Sequence, residues 1–482
     1  MVSLPVLLPA LAGCLYALFG WNRATAYLGA LAAAGVLACA VALAGAGTGG
    51  ALWGLLRADA LSAFMLVVIG AVALAAMLAS PAYLAAEVAA GHTGPRALRR
   101  YGVLTQAFVA AMALAVLAAN LGVMWVAIEA TTILTAFLVG FRNTKNATEA
   151  AWKYVVICSV GIALALLGVV LVNYAGVQSA LGLDWAVLAR QAADLDPGVM
   201  RIAAVLVVLG FGTKAGLAPM HAWLPDAHSQ APAPVSALMS GVLLSVAFYA
   251  ILRVKVITDA VLGDTTMRVL LVAAALASLA VAAALLLAQR DYKRLLAYSS
   301  IEHMGLLALG AAIGTRLALA AVLLHILGHG LGKSALFLSA GHLHQALGSS
   351  RIDAARGLLL RSPLLAGAFA LGLLALLGMP PFSLFASELG IVRAGFAAGL
   401  GWAIVLALLL MLVIVAAIGR HGRRMLLGTQ AAALPTPPSV ALPATTALAV
   451  IAALLGCALL GITTSPLGEL LHGAATIAGA SR

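Results

Sequence analysis

Long runs of apolar residues, each bounded by charged residues, proline or glycine, repeat along the whole chain. A helix needs about 20 consecutive apolar residues to cross the hydrocarbon core of a bilayer. The runs predict fourteen membrane spans, at 2–20, 25–45, 60–80, 102–119, 121–141, 152–174, 200–218, 232–252, 266–288, 295–314, 317–346, 362–378 (continuing as 383–398), 401–419 and 441–463. The pattern therefore predicts an all-α polytopic membrane protein with about fourteen transmembrane helices.

Composition supports this class and excludes others. Of 482 residues, 64% are hydrophobic and only 9% are charged, and the mean hydropathy is +1.12. A soluble domain carries about 25% charged residues. These values exclude a soluble enzyme, a nucleic-acid-binding protein and a disordered chain.

The net charge of +12 comes from residues that cluster in particular connections between spans. The odd-numbered connections hold sixteen of the 27 basic residues, and the even-numbered connections hold seven. Cytoplasmic loops of membrane proteins are enriched in Lys and Arg. The distribution predicts a multi-pass protein of the plasma (inner) membrane with both termini outside, and it explains the positive charge without nucleic acid.

The cysteines give no sign of a metal or redox centre. Cys14, Cys39, Cys158 and Cys457 lie in separate apolar runs and form no CxxC motif. Zinc and iron–sulfur sites need clustered thiolates. We therefore expect no cofactor and no catalytic metal in this chain, and His221 with His228 is a weaker alternative for a metal pair.

A few ionisable residues lie inside the predicted spans. Each costs about 2.5–3.5 kcal/mol to insert at mid-membrane, so such residues are functional candidates. The candidates are Glu129, Lys214, His325, His329, Lys333 and Glu388. The alternative for each is a polar contact that ties helices together. Because carboxylates, amines and imidazoles occur together, we favour a proton relay. Two further residues at the start of span 10, Glu302 and His303, are either interfacial groups or members of this relay.

Two spans are interrupted by helix-breaking residues. Span 7 meets Gly216, Pro219 and Pro225, and span 12 meets Gly378, Pro380 and Pro381. Broken helices at matching positions of two halves are typical of inverted repeats with ion sites at the breaks. The predicted units are helices 1–3 at 1–101, a first five-helix repeat (helices 4–8) at 102–252, an inverted second repeat (helices 9–13) at 253–420, and helix 14 with a tail at 421–482.

Three stretches carry a resemblance to a known family: residues 210–236, 289–300 and 325–338. They resemble the signatures of the antiporter-like subunits shared by respiratory complex I, multisubunit Na⁺/H⁺ antiporters and membrane-bound [NiFe] hydrogenases. Within that family, the residues around Glu129 and the stretch 211–216 look most similar to hydrogenase-4 component F.

The resemblance implies fourteen helices with two inverted five-helix repeats and a role for each buried ionisable residue. Glu129 and Lys214 match a carboxylate–lysine pair whose making and breaking drives proton movement. Lys333 matches the lysine of the second half, with His325 and His329 as connecting relay groups. Glu388 matches the acidic residue at the exit.

One position departs from the family pattern. Many relatives carry a lysine in helix 8, where this chain has Ser245, which cannot carry a proton at neutral pH. The middle of the relay must then run through water, His325 or His303, or be interrupted. Ser245 therefore weakens the expectation of pumping.

From the residues and the resemblance together, we expect a proton-translocating subunit of a redox complex related to NADH:quinone oxidoreductase. A group 4 [NiFe] hydrogenase or formate hydrogenlyase is the favoured type, with redox chemistry in peripheral [NiFe] and iron–sulfur subunits and other membrane subunits alongside. The first alternative is a Na⁺/H⁺ antiporter subunit driven by an ion gradient, and the second is a membrane anchor that does not pump.

Overall fold

A computed structural model of the chain describes residues 1–47, 49–177, 180–428 and 441–479. Within these ranges, twelve helices are long and apolar enough to cross a membrane, and two further apolar helices are shorter. The helices confirm the predicted all-α polytopic class. The predicted tail unit at 421–482 lies partly outside the described residues.

Among the described residues, the first half of the chain supplies nine α-helices, and three of them (α1, α7 and α9) are shorter than a membrane span. They are α1 (Leu4–Phe19), α2 (Leu28–Ala46), α3 (Ala60–Ala89), α4 (Pro95–Leu117), α5 (Leu121–Val139), α6 (Lys145–Ala175), α7 (Trp185–Arg190), α8 (Pro197–Ala215) and α9 (Trp223–Gln230). Between α2 and α3, the strands β1 (Gly49–Ala51) and β2 (Leu56–Ala58) form an antiparallel hairpin.

The second half is again helical. Its helices are α10 (Ala233–Leu238), α11 (Leu244–Leu262), α12 (Thr265–Leu287), α13 (Tyr292–Ile313), α14 (Arg316–Leu347), α15 (Leu358–Arg361), α16 (Pro363–Leu376), α17 (Ser383–Ala397), α18 (Gly401–Leu427), α19 (Ala444–Ile462) and α20 (Gly468–Ile477). A π-helical turn, Met239–Leu243, joins α10 to α11 in one continuous span.

Several helices extend beyond the apolar runs that predicted them. Helix α3 continues to Ala89 rather than residue 80, and α6 begins at Lys145 rather than residue 152. The hairpin, α7 and α20 were not predicted. Apolar runs mark only the membrane-embedded part of a helix, whereas the polar turns beyond it remain helical when they are capped.

Capping residues fix the starts of these extended helices. Thr144 accepts a hydrogen bond from the Ala147 amide at the start of α6. Asp59, Asn120, Asp196, Asp291 and Thr315 cap α3, α5, α8, α13 and α14 in the same way. Such a cap contributes about 1 kcal/mol to helix stability.

The connections divide between two faces of the helix bundle. On one face, Arg142 in the loop after α5 binds Glu87 of α3 and His344 of α14. On the opposite face, Arg57 binds Asp184 of the α6–α8 connection. Arg142 and its partners lie in or next to odd-numbered connections, whereas Arg57 and Asp184 lie in even-numbered ones. The odd- and even-numbered connections therefore group separately, as the sequence predicts. The face that holds most basic residues is called the arginine-rich face below.

The most enclosed helices form the centre of the bundle. In the most apolar window of the α10–α11 span every residue is buried, and in those of α13 and α14 the buried share is 94%. In the corresponding windows of α18 and α19 only 33% are buried. A helix that is apolar all round and faces lipid needs no polar partner, whereas polar groups on a central helix must find partners inside the protein.

Candidate functional site

Lys214 lies at the end of α8, where the helix stops in the interior of the bundle. Gly216 follows it with a left-handed backbone (φ +78°), and the Leu224 side chain occupies the space beside its Cα. A side chain at residue 216 would be strained in this conformation. The Lys214 side chain is fully buried, with its Nζ donating to Tyr154 Oη (2.5 Å) and Thr132 Oγ1 (2.9 Å).

The Thr132 hydroxyl connects Lys214 to Glu129. It accepts the hydrogen bond from Lys214 and donates to Glu129 Oε2 at 3.0 Å. Glu129 itself is half-buried on α5. The predicted carboxylate–lysine pair therefore does not form a direct ion pair here; one hydroxyl group separates its two members.

A second branch of hydroxyls leads away from Lys214. Thr135 donates to the Thr131 carbonyl at 2.6 Å, so its oxygen accepts the hydrogen bond shared with Tyr154. The Lys214 Nζ also lies 4.8 Å from the centroid of the Tyr154 ring. Together these groups satisfy a buried ammonium without a neighbouring carboxylate.

Lys333, in the middle of α14, has a similar all-neutral environment. It is fully buried, and its Nζ donates to the Leu296 carbonyl (2.7 Å) and to Ser299 Oγ (2.5 Å) of α13. Among the described residues, no carboxylate lies within ion-pair distance of it. The side chain of Glu302, on the same helix as Ser299, is also buried, and its Oε2 has no hydrogen-bond partner.

The histidines of α13 and α14 form a directional hydrogen-bond chain. Ser387 donates to the Leu384 carbonyl (2.8 Å), so it must accept from His325 Nδ1 (2.9 Å). A neutral His325 then carries its lone pair on Nε2, which accepts from His303 Nδ1 at 3.0 Å. His303 Nε2 is left as an acceptor that no protein group contacts.

His329 lies beside this chain. Its ring centroid is 5.0 Å from that of His303, and neither of its ring nitrogens has a protein partner. Because His329 is also one helical turn from Lys333, it lies between Lys333 and the hydrogen-bonded pair of His303 and His325.

Glu388 lies beside the break in the twelfth predicted span. Gly378 ends the first segment with φ +60°, and a Cβ there would lie 2.2 Å from Glu388 Oε2. Pro380 and Pro381 follow, between α16 and α17. Pro219 likewise lies between α8 and α9, whereas Pro225 lies inside α9 and does not interrupt it.

One group of side chains has the geometry of a cation site. Ligand atoms of His303, His325 and Glu388 all lie within 4.8 Å of one another. Two imidazoles and a carboxylate suit a transition-metal ion better than Na⁺, which prefers oxygen ligands. Within the described residues, His221 and His228 do not join such a group.

His228 is the residue that sequence reasoning placed in the wrong context. It is fully buried between the rings of Trp223 (centroids 6.4 Å apart) and Phe337 (5.3 Å), and both its nitrogens lack protein partners. Trp223 packs on Tyr154, the partner of Lys214, and Phe337 is one turn from Lys333. His228 thus lies between the two lysine sites.

Ser245 also lies in this central region. Its hydroxyl is buried and has no protein partner. The adjacent Leu244 reaches toward the break at Gly216, and one turn earlier Gly241 closely approaches Gly330 of α14. Buried polar atoms without protein partners are usually bound by water. The region between the two lysines is therefore suited to hold water.

Comparison with known proteins places the chain in a family. A family model described as "NADH:quinone oxidoreductase/Mrp antiporter, TM" matches residues 118–414. A hydrogenase-4 component F homolog from Methylacidiphilum infernorum is 42% identical over 325 residues, covering 66% of this chain and 68% of that protein. NADH-quinone oxidoreductase subunit N from Desulforudis audaxviator is 36% identical over 278 residues, covering 56% of this chain and 54% of that protein.

The fold also matches a solved structure along nearly its whole length. A chain of respiratory complex I from Thermus thermophilus superposes with a TM-score of 0.83 and 25% identity, and the match covers 99% of both chains. The predicted resemblance is thereby confirmed for both sequence and fold.

Proposed function

The chain belongs to the NADH:quinone oxidoreductase/Mrp antiporter transmembrane family, and from this premise we propose that it translocates protons as a membrane subunit of a multisubunit redox complex. The observation that carries the proposal is the single hydroxyl of Thr132 between Glu129 and Lys214. A proton can move from the ammonium to the carboxylate through this hydroxyl without either side chain leaving its place.

Such a transfer changes the local charge strongly. With Lys214 protonated and Glu129 ionised, two charges lie in a region of low polarity; after transfer both groups are neutral. Charges that are not in direct contact gain little mutual stabilisation against their desolvation. A small electrostatic or conformational change in a neighbouring subunit at the half-buried Glu129 is then sufficient to shift the proton.

The second half continues the same chemistry. A proton that binds His303 Nε2 releases another from Nδ1 along the existing hydrogen bond to His325. A carboxylate oxygen of Glu388 lies within 4.8 Å of both imidazoles, so one water molecule can carry the proton to it. We therefore assign Lys333, His329, His303 and His325 to the second relay and Glu388 to the exit.

His228 supplies a titratable group between the two lysine sites, where Ser245 supplies none. Both nitrogens of a neutral imidazole act in proton transfer, one as donor and one as acceptor, and those of His228 face no competing protein group. His228 packs on Phe337, which is one turn from Lys333, so it lies next to the second relay. Water between Tyr154 and His228 completes the path.

The likeness to hydrogenase-4 component F favours a group 4 [NiFe] hydrogenase or formate hydrogenlyase as the complex. The distribution of basic residues supports a plasma-membrane protein with both termini outside. The repeat boundaries at 102–252 and 253–420 belong to the same proposal. Gentle solubilisation followed by metal analysis tests the partners: nickel and iron must co-purify with the chain, whereas purely hydrophobic partners without metal would exclude a hydrogenase.

Pumping is tested in inverted membrane vesicles that contain the whole complex and are supplied with its electron donor. Lys214→Ala and Glu129→Gln should each abolish acidification of the vesicle interior, while the exposed-lysine control Lys145→Ala should pump normally. Unchanged translocation in either relay variant contradicts the proposal and favours a membrane anchor.

The family's name also includes antiporters, so the second candidate is a Na⁺/H⁺ antiporter subunit. It predicts a pH change when Na⁺ is added to vesicles without any electron donor. The imidazole-rich group around Glu388 is a poor Na⁺ ligand set, and we expect no such response.

A further inference from the structure

A strongly basic cavity lies on the arginine-rich face, away from the relay. Its volume is about 450 Å³, and it opens between the C-terminal end of α12, the C-terminal turns of α18 and the segment after α14. The charged and titratable residues that line it are Arg290, Arg351, Asp353, Arg420, His421 and Arg424. Four guanidinium groups thus share one cavity with a single carboxylate.

That carboxylate is already occupied by arginines. Asp353 accepts hydrogen bonds from Arg356 and, at 2.8 Å, from Arg424, and these interactions hold the pKa of the Asp353 carboxyl below its ordinary value. Within the described part of the chain, the side chains of Arg290, Arg351 and Arg420 have no carboxylate partner. Three guanidinium groups in one cavity leave an uncompensated positive potential.

A buried histidine gives a second, independent indication of a ligand. His421 is only 2% exposed, and its Nε2 donates to the Leu286 carbonyl at 3.1 Å. Its Nδ1 is buried, has no protein partner, and in the neutral ring can accept a hydrogen bond. A ligand with anionic oxygens and a hydroxyl group would satisfy the arginines and this nitrogen together.

The surface next to the cavity is apolar and faces the membrane. Leu285 and Leu287 of α12 are 37% and 49% exposed, and Leu409 and Leu412 of α18 are 58% and 66% exposed. Helices α12 and α18 pack against each other, and both carry exposed leucines on the turns that precede the cavity. Acyl chains can lie along this surface while a headgroup occupies the cavity.

We propose that this cavity binds the phosphate headgroup of an anionic phospholipid. Guanidinium groups bind phosphate oxygens through paired hydrogen bonds, and basic pockets between helices on the cytoplasmic side of membrane proteins bind anionic headgroups. A headgroup that carries a free hydroxyl, such as phosphatidylglycerol, also supplies a donor for His421 Nδ1. The proposal depends on the membrane fold and not on the proton relay.

The test uses the purified native complex in detergent, depleted of lipid, and measures bound lipid by native mass spectrometry and unfolding temperature by fluorescence. Phosphatidylglycerol should bind and raise the unfolding temperature more than phosphatidylcholine of the same chain length. The double variant Arg290→Gln/Arg420→Gln should bind at least about tenfold less phosphatidylglycerol, consistent with loss of two charge-assisted contacts. The control Arg190→Gln changes an exposed arginine on the opposite face and should bind as the wild type does.

Each remaining outcome overturns the proposal. Equal binding of the two phospholipids by the wild type means that the cavity does not select anionic headgroups. Equal phosphatidylglycerol binding by the double variant places the lipid elsewhere. If inorganic phosphate alone reproduces the full rise in unfolding temperature, the ligand is a free anion rather than a lipid. Because the first comparison uses the wild type only, a variant that fails to assemble does not affect it.

Discussion

Replacing Thr132 with valine removes one hydroxyl group and little else. Valine has nearly the same shape as threonine, so the packing between α5 and α8 is retained. Lys214 loses one of its two side-chain acceptors and Glu129 loses the Thr132 donor. In the wild type, the 3.0 Å and 2.9 Å hydrogen bonds through Thr132 set an upper limit of about 5.9 Å, their sum, on the distance from Glu129 Oε2 to Lys214 Nζ. In the variant no hydroxyl bridges this distance.

The expected effect follows from the energy of those hydrogen bonds. A hydrogen bond to a charged group contributes about 1.5–3 kcal/mol, and each 1.4 kcal/mol added to a barrier slows a step about tenfold. Proton transfer between Glu129 and Lys214 should therefore slow by about 10- to 150-fold in Thr132→Val. Thr132→Ser keeps the hydroxyl and should stay within about threefold of the wild-type rate.

The assay is the initial rate of proton uptake by inverted vesicles, divided by the rate of electron transfer in the same vesicles. This ratio separates a defect in pumping from a poorly assembled complex, because assembly affects both rates. If Thr132→Val pumps as well as Thr132→Ser, the hydroxyl bridge is not on the proton path. If both variants fail equally, the position matters for packing rather than for proton transfer.

Three further predictions follow from the geometry. Ser387→Ala removes the acceptor that fixes the His325 ring, so the ratio of proton uptake to electron transfer should fall about tenfold. Ser387→Thr keeps the hydroxyl and should keep the wild-type ratio. Gly378→Ala places a Cβ 2.2 Å from Glu388 Oε2 at a positive φ, so the amount of assembled complex in the membrane should fall, as measured by quantitative immunoblotting. Partial burial alone would raise the pKa of the Asp184 carboxyl, but the hydrogen bonds and charge of Arg57 (2.7 and 2.8 Å), together with the hydrogen bonds from the Ala186 and Val187 amides, hold that pKa below its ordinary value. Asp184→Asn should therefore lower the unfolding temperature at neutral pH by an amount equivalent to about 1 kcal/mol, and the difference from wild type should vanish as the pH falls through the lowered pKa, where Asp184 itself becomes protonated.

The charged members of the site could be found from sequence because charge is rare and costly in an apolar span. Glu129, Lys214, Lys333 and Glu388 stand out for that reason alone. Their neutral partners could not be found in this way, since serine and threonine are common in membrane helices and satisfy their own hydroxyl by bonding to a preceding carbonyl. Spacing could have indicated Thr132, three residues after Glu129, and Ser299, three residues before Glu302, because each shares a helix face with a charged candidate.

His228 was considered from sequence only as part of a metal pair, and its position between the two lysine sites was missed for a different reason. Two prolines within ten residues, Pro219 and Pro225, indicate a loop, and a histidine in a surface loop has no special meaning. Instead the segment 223–230 is a short helix enclosed by the bundle, with Pro225 in its first turn, where the missing amide costs nothing. Helix boundaries near proline depend on tertiary packing, which a single sequence does not contain.

Packing between helices also decides the geometry at Gly241. There the α10–α11 span contains a π-helical turn, and Gly241 approaches Gly330 so closely that a Cβ on either glycine would meet the other's carbonyl oxygen at about 3 Å. A π-turn is often found at functional sites, but no residue pattern marks it here. Ser245 of α11 lies one turn after this close approach.

The substitution of Ser245 by valine tests whether protons cross the bundle at this point. The Ser245 hydroxyl is buried without a protein partner, so it is available to hold water between the two halves. Valine removes that contact and adds a methyl group, and we expect the pumping ratio to fall about tenfold, the effect of losing one hydrogen bond of about 1.4 kcal/mol. Thr258→Val is the matched control, since Thr258 lies on the same helix with an equally buried and unpartnered hydroxyl, but more than three turns away. A second variant, His228→Phe, separates the two possible routes. If Ser245→Val pumps normally and His228→Phe does not, the proton passes through His228 without Ser245. If both variants pump normally, the two halves do not exchange protons through the centre of the bundle.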